Sequence, residues 1–111
     1  MLDRSTLLGM VDGDTDLLNQ IIDVMMSDIP KYMASIREAV AKGESEVLER
    51  YAHQLAGSIS NLRCGLVVEP ARLLERLGRE KRLSEVSEPM VQLESDVDRL
   101  LISLPLLREN R

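Results

Sequence analysis

Apolar residues recur every three to four positions through most of this chain, the period of helices that bury one face. The longest such stretch carries Leu17, Leu18, Ile21, Ile22, Met25, Met26, Ile29, Met33, Ile36 and Val40. It predicts one long helix with Asp14 as N-cap and Lys42-Gly43 as its end, kinked but not broken at Pro30. A short helix from Arg4 to about Val11 precedes it, stopped by Asp12-Gly13-Asp14. A third helix runs from about Ser45 to Leu62, followed by a tight connection at Arg63-Cys64-Gly65. A fourth extends to about Glu80 on Leu66, Val67, Leu73, Leu74 and Leu77, with Pro70 near its first turns, where a missing amide costs least. Ser87-Glu88-Pro89 reads as a cap followed by proline at the first helical position. The fifth helix continues through Met90, Leu93, Val97, Leu100, Leu101 and Leu104 to Pro105, leaving Leu106 to Arg111 as a frayed tail.

Short connections favour antiparallel neighbours. The fold read from this pattern is all-α, an antiparallel up-down four-helix bundle with a short extra N-terminal helix. It forms a single domain over residues 1–111, with its core at about 2–104 and a tail at 105–111.

Composition sharpens the picture. There is no Trp or Phe, and Tyr32 and Tyr51 are the only aromatic residues, so the core must be aliphatic. A net charge of −5 disfavours nucleic acid and anionic membranes as partners. Cys64 is the sole cysteine, which excludes an internal disulfide and points to a reducing, cytoplasmic setting. One Cys and one His cannot complete a four-ligand zinc site. The N-terminus lacks a signal-peptide pattern, and no apolar run approaches the roughly 18 residues of a membrane span. Any membrane role would belong to a larger protein of which this is the cytoplasmic part. Met25, Met26 and Met33 read as core filler, and Cys64 as a small buried turn residue. Glu44, Glu46 and Glu49 read as favourable charges at a helix N-terminus, and Arg79 to Arg82 as a solvated helix end.

The third helix carries the candidate chemistry. At about 100° per residue, Tyr51, Ala52, Leu55, Ile59 and Leu62 cluster within roughly 60° of Leu48. His53, the only histidine, lies about 140° from Leu48, among Glu46, Glu49, Arg50, Gly57 and Ser60. A helix that buries one stripe thus presents its single imidazole to solvent. Gly57 follows one turn later, although glycine inside a helix costs roughly 1 kcal/mol relative to alanine. Its bare surface would let another backbone approach the ring, while close helix packing is an equal explanation of the glycine taken alone.

The segment His53-Gln54-Leu55-Ala56-Gly57-Ser58 resembles the signature of the histidine phosphotransfer (HPt) domain family, His-x-Leu-Lys-Gly-Ser followed by a Gly-Ala turn. His53, Leu55, Gly57 and Ser58 match, whereas Ala56 replaces the lysine and Arg63-Cys64 stand in place of the Gly-Ala turn. The Gly13-Asp14 turn, Asp28-Ile29-Pro30, the break at Gly43 and Leu73-Leu74-Glu75 extend the resemblance over roughly residues 2 to 104. It implies that His53 accepts a phosphoryl group through Nε2 from a receiver-domain aspartate and passes it to another. Arg50, Gln54, Ala56, Gly57, Ser58 and Ser60 are then supporting or docking positions.

Arg50 or Arg63 is expected to supply the positive charge that Ala56 lacks. The implied partners are response-regulator receiver domains and a hybrid sensor kinase, with the domain itself monomeric. It would be a phosphocarrier and not an enzyme, needing no cofactor, since Mg²⁺ belongs to the receiver. The absence of a P-loop, paired carboxylates or a catalytic triad agrees with this. The alternative is a degenerate bundle that docks receivers or kinases without carrying phosphate. The chain fits either a free-standing carrier or a domain of a hybrid kinase.

Overall fold

The computed structural model describes residues 4–60 and 65–108. Five α-helices follow one another: α1 Arg4–Met10, α2 Thr15–Lys42, α3 Ser45–Ser60, α4 Gly65–Arg79 and α5 Ser87–Leu107. A 3₁₀ turn at Leu83–Glu85 links the last two. Helices α2 to α5 form an antiparallel four-helix bundle in which α2 packs on α3, α3 on α4, α4 on α5, and α5 closes back on α2. Helix α1 lies against α2 and buries Leu7.

Local chemistry sets the helix ends. The Asp14 carboxylate accepts the Leu17 N–H at 3.0 Å, capping α2. Gly43 ends the helix in the left-handed region, at φ 71°, and the next amide, Glu44 N–H, donates back to the Ala39 carbonyl at 2.9 Å. Helix α2 runs through Pro30 as one element, with the ring on its exposed side. Leu62, the Arg63–Cys64 connection and residues 109–111 lie outside the described residues, as do the side chains of Leu66 and Val67.

Two ends differ from the sequence reading. Ser87 is the first residue of α5 and not its cap; Val86 holds the cap position with no side-chain hydrogen bond. The preceding 3₁₀ turn already delivers the chain in a helical conformation, so Val86 instead buries its side chain in the core. Nor does Pro105 stop α5, which continues to Leu107. So near a terminus, proline removes only one of the last backbone bonds. The end is held besides by Arg108, whose Nε and Nη2 reach the two Asp23 oxygens at 2.8 and 3.0 Å. This pair holds the Asp23 carboxyl below the usual carboxylate range.

The core is aliphatic throughout. Leu18, Ile22, Met25, Ile29, Met33 and Ile36 of α2 meet Leu48, Ala52, Leu55 and Ile59 of α3 in one buried cluster with Leu74, Leu93, Val97, Leu100 and Leu104. The α2–α5 seam also carries a second forked ion pair, Arg37 to Glu94, at 2.6 to 3.1 Å.

At Gly78 the α3–α4 seam leaves no room for a side chain. A Cβ there would stand 2.8 Å from both the Glu49 backbone nitrogen and the Ser45 carbonyl oxygen, atoms that cannot rotate aside. At Gly57 a Cβ would meet nothing within 4 Å. Gly57 and Gly78 therefore predict opposite outcomes in a denaturant titration. Gly78→Ala should destabilise the fold by about 1–3 kcal/mol through overpacking. Gly57→Ala should stabilise it by about 0.5–1 kcal/mol through helix propensity alone.

Candidate functional site

Helix α3 buries Leu48, Ala52, Leu55, Ala56 and Ile59, so its opposite face carries His53 into solvent. The side chain of His53 is 67% exposed, and among the described residues its ring has one hydrogen-bond partner. Its Nδ1 lies 3.0 Å from Oε2 of Glu75, on α4. Glu75 is the less exposed partner, its side chain only 12% exposed. The same Glu75 oxygen accepts from Arg79 Nη2 at 2.8 Å, and Arg79 Nε donates to Glu49 Oε2, back on α3, at 3.0 Å. Four side chains thus form a chain that crosses the seam twice: His53, Glu75, Arg79, Glu49.

Position along the helices makes this possible. Glu75 and Arg79 are one turn apart, flanking the glycine that brings α4 against the first turns of α3. Glu49 and His53 are likewise one turn apart on the facing helix.

The electrostatics follow from the donor and acceptor inventory. A carboxylate only accepts, so Nδ1 is the imidazole donor and Nε2 of the neutral ring keeps its lone pair. Arg79 offsets part of the charge on Glu75 and prevents it from turning away. The hydrogen bond to Glu49, aided by the fields of Glu49, Glu75 and Glu80, raises the Arg79 pKa and keeps its guanidinium charged.

The sequence candidates are distributed unequally around this ring. A shallow depression of about 360 Å³ is lined by Glu46, Glu49, Arg50, His53, Gln54 and Glu75. Gln54 therefore lines the depression beside the ring. Arg50 borders it, but its guanidinium carbon sits 5.1 Å from the centre of the Tyr51 ring. The cation tied to the His53 network is Arg79, and Arg63 lies outside the described residues.

Ala56 is fully buried, so it presents nothing beside the imidazole. Gly57 is exposed with open space around it, which removes packing against the described residues as its explanation. Ser58 is half-buried. Ser60 Oγ donates to the Gly57 carbonyl at 2.9 Å, so it serves the helix end.

Sequence reasoning missed Glu75 and Arg79, and it misread two charged groups. Glu49 is an inter-helix partner and not simply an N-terminal charge. Arg79, the exposed last residue of α4, also pairs with Glu75 beside the ring, while Arg82 pairs with Glu80 and Glu85 across the turn that follows. The available signal was the glycine inside α4 beside an i, i+4 Glu–Arg pair.

Among the described residues, no group of three or more His, Cys, Asp or Glu is placed to hold a metal ion. None of the helices searched there is long and apolar enough to cross a membrane. A family model described as Hpt domain matches residues 20–102. Comparisons with curated proteins and with solved structures found no match. Hpt domains are phosphocarriers of two-component signalling that interact with receiver domains and kinases.

The ring geometry carries its own test. Nitrogen-detected NMR of neutral His53 should show the proton on Nδ1 in the wild type. Glu75→Ala should shift the tautomer balance toward Nε2–H, and a wild-type ring already protonated at Nε2 would contradict the geometry.

Proposed function

The chain belongs to the Hpt domain family, and we propose that within it His53 relays a phosphoryl group between receiver-domain aspartates. The observation that supports this most directly is the exposed imidazole whose Nδ1 is bonded to Glu75, with Nε2 left as the available nucleophile. In the forward step the Nε2 lone pair attacks phosphorus in the aspartyl phosphate of a receiver. An N–P bond forms as the O–P bond breaks, and the aspartate oxygen keeps the electron pair. The receiver contributes Mg²⁺ and its acidic pocket; this chain contributes the nucleophile and its orientation.

Glu75 has a second part to play. As Nε2 is phosphorylated, the ring acquires positive charge while Nδ1 keeps its proton. The Glu75 carboxylate, already 3.0 Å from Nδ1, stabilises that charge without reorganising. Arg79 sets how much of the carboxylate is available. Gly57 leaves an unobstructed surface one turn from the ring, where a receiver backbone can approach. Partners of this chemistry are receiver domains, with a sensor kinase upstream.

Incubation with a phosphorylated receiver should place acid-labile, alkali-stable phosphate on the wild-type chain and none on His53→Gln. Binding of receivers without transfer would favour the docking-only alternative. Glu75→Ala should slow transfer roughly 10-fold, the loss of about 1–2 kcal/mol from a charge-assisted hydrogen bond. It should leave receiver affinity nearly unchanged, which separates a positioning role from a docking one.

A further inference from the structure

A second and larger groove, of about 730 Å³, opens between α4 and α5 and shares no residue with the depression around His53. Its floor is apolar, formed by Pro70, Leu73 and Pro89. The residues that line α5 run from Glu88 to Arg99, about 16 Å at 1.5 Å per residue. Set into its wall is Asp96, only 7% exposed. Among the described residues, the one hydrogen bond to the Asp96 side chain comes from Gln92 Nε2, at 2.9 Å on Oδ1, and no cation lies within ion-pair distance. Taking a carboxylate out of water is unfavourable unless a cation or several donors replace the lost hydration. Asp96 has one donor, a neutral amide.

The rim has a complementary character. Arg72, Arg76 and Arg99 border the groove and are exposed, and none makes an ion pair among the described residues. Glu69 and Glu88 are the other charged groups on its border. Asp96 therefore offers one place for a cation at the centre, and Arg72, Arg76 and Arg99 offer places for carboxylates around it, with Glu69 and Glu88 bringing the lining to charge balance.

We propose that the α4–α5 groove is a docking site for a partner polypeptide segment bearing a single arginine or lysine between acidic residues. Its cation pairs with Asp96, its carboxylates meet Arg72, Arg76 and Arg99, and an apolar side chain rests on Leu73 between the two prolines. A bare diamine would satisfy Asp96 but not the rim or the floor. Because the site does not use His53, a segment held there leaves the imidazole accessible, and the proposal stands independently of phosphotransfer.

The test is an NMR titration of the full chain with the capped peptide Ac-Glu-Leu-Leu-Arg-Glu-Leu-Glu-amide and with its arginine-to-norleucine counterpart. The arginine peptide should give saturable shifts at the Gln92 side-chain amide and at the Leu73 and Asp96 amides, with affinity roughly tenfold higher than the norleucine peptide. Asp96→Asn retains an acceptor for Gln92 and should erase that difference. Arg99→Glu, on the exposed rim, should weaken both peptides. The proposal is overturned by an absent response in the wild type, by equal binding of the two peptides, or by an arginine preference that survives in Asp96→Asn. Shifts centred on His53, or agmatine binding as tightly as the peptide, would overturn it equally.

Discussion

Close approach of two backbones at Gly78 is the constraint on which the site depends. Side chains of Glu and Arg reach only a few ångströms, so a carboxylate on α4 can fix an imidazole on α3 only where the helices nearly touch. Glycine at this point allows that contact, and the price in helix propensity is about 1 kcal/mol. Leu48, Ala52 and Leu74 then fill the seam behind it, so His53 is presented from a rigid wall. The chemistry at the surface is thus set by packing beneath it.

The charge arrangement on that wall is balanced. Glu75 is mostly buried and must be stabilised as an anion, yet a carboxylate bound entirely to Arg79 would have little capacity left for the ring. Sharing one oxygen between guanidinium and imidazole meets both needs. The second contact of Arg79, to Glu49, fixes the guanidinium without drawing on Glu75. A lysine at position 56 could not join this arrangement without leaving the core, because Ala56 points inward.

Most of the architecture was legible because it rests on local rules. The 3.6-residue period located α2 and α3, Asp14 and Gly43 gave the ends of α2, and the helical phase placed His53 outward. The failures came where a distant segment decided the outcome. Pro105 suggested a helix end, but Asp23, far away in sequence, helps hold α5 beyond it. Ser87 had the chemistry of a cap, but the 3₁₀ turn before it had already set the backbone. Glu75 drew no site reading and Arg79 resembled an ordinary solvated charge, because their partners on α3 lie 22 and 30 residues away. Hydrophobic phase assigns a residue to a face; it does not tell which face of another helix will meet it.

The two forked ion pairs between α2 and α5 have a consequence for how the bundle responds to its surroundings. Asp23 to Arg37 on α2, and Glu94 on α5 to Arg108 just past its end, are both steps of 14 residues, so the clamps lock a single antiparallel register. A slide by one turn would break both at once. These pairs are exposed, and their attraction falls as ionic strength rises, whereas the glycine contact between α3 and α4 is indifferent to salt. The α2–α5 seam is therefore clamped by exposed ion pairs, whereas the α3–α4 seam, which also carries the Arg79–Glu49 pair, keeps a backbone contact at Gly78 that salt does not touch, and the imidazole is mounted on the second.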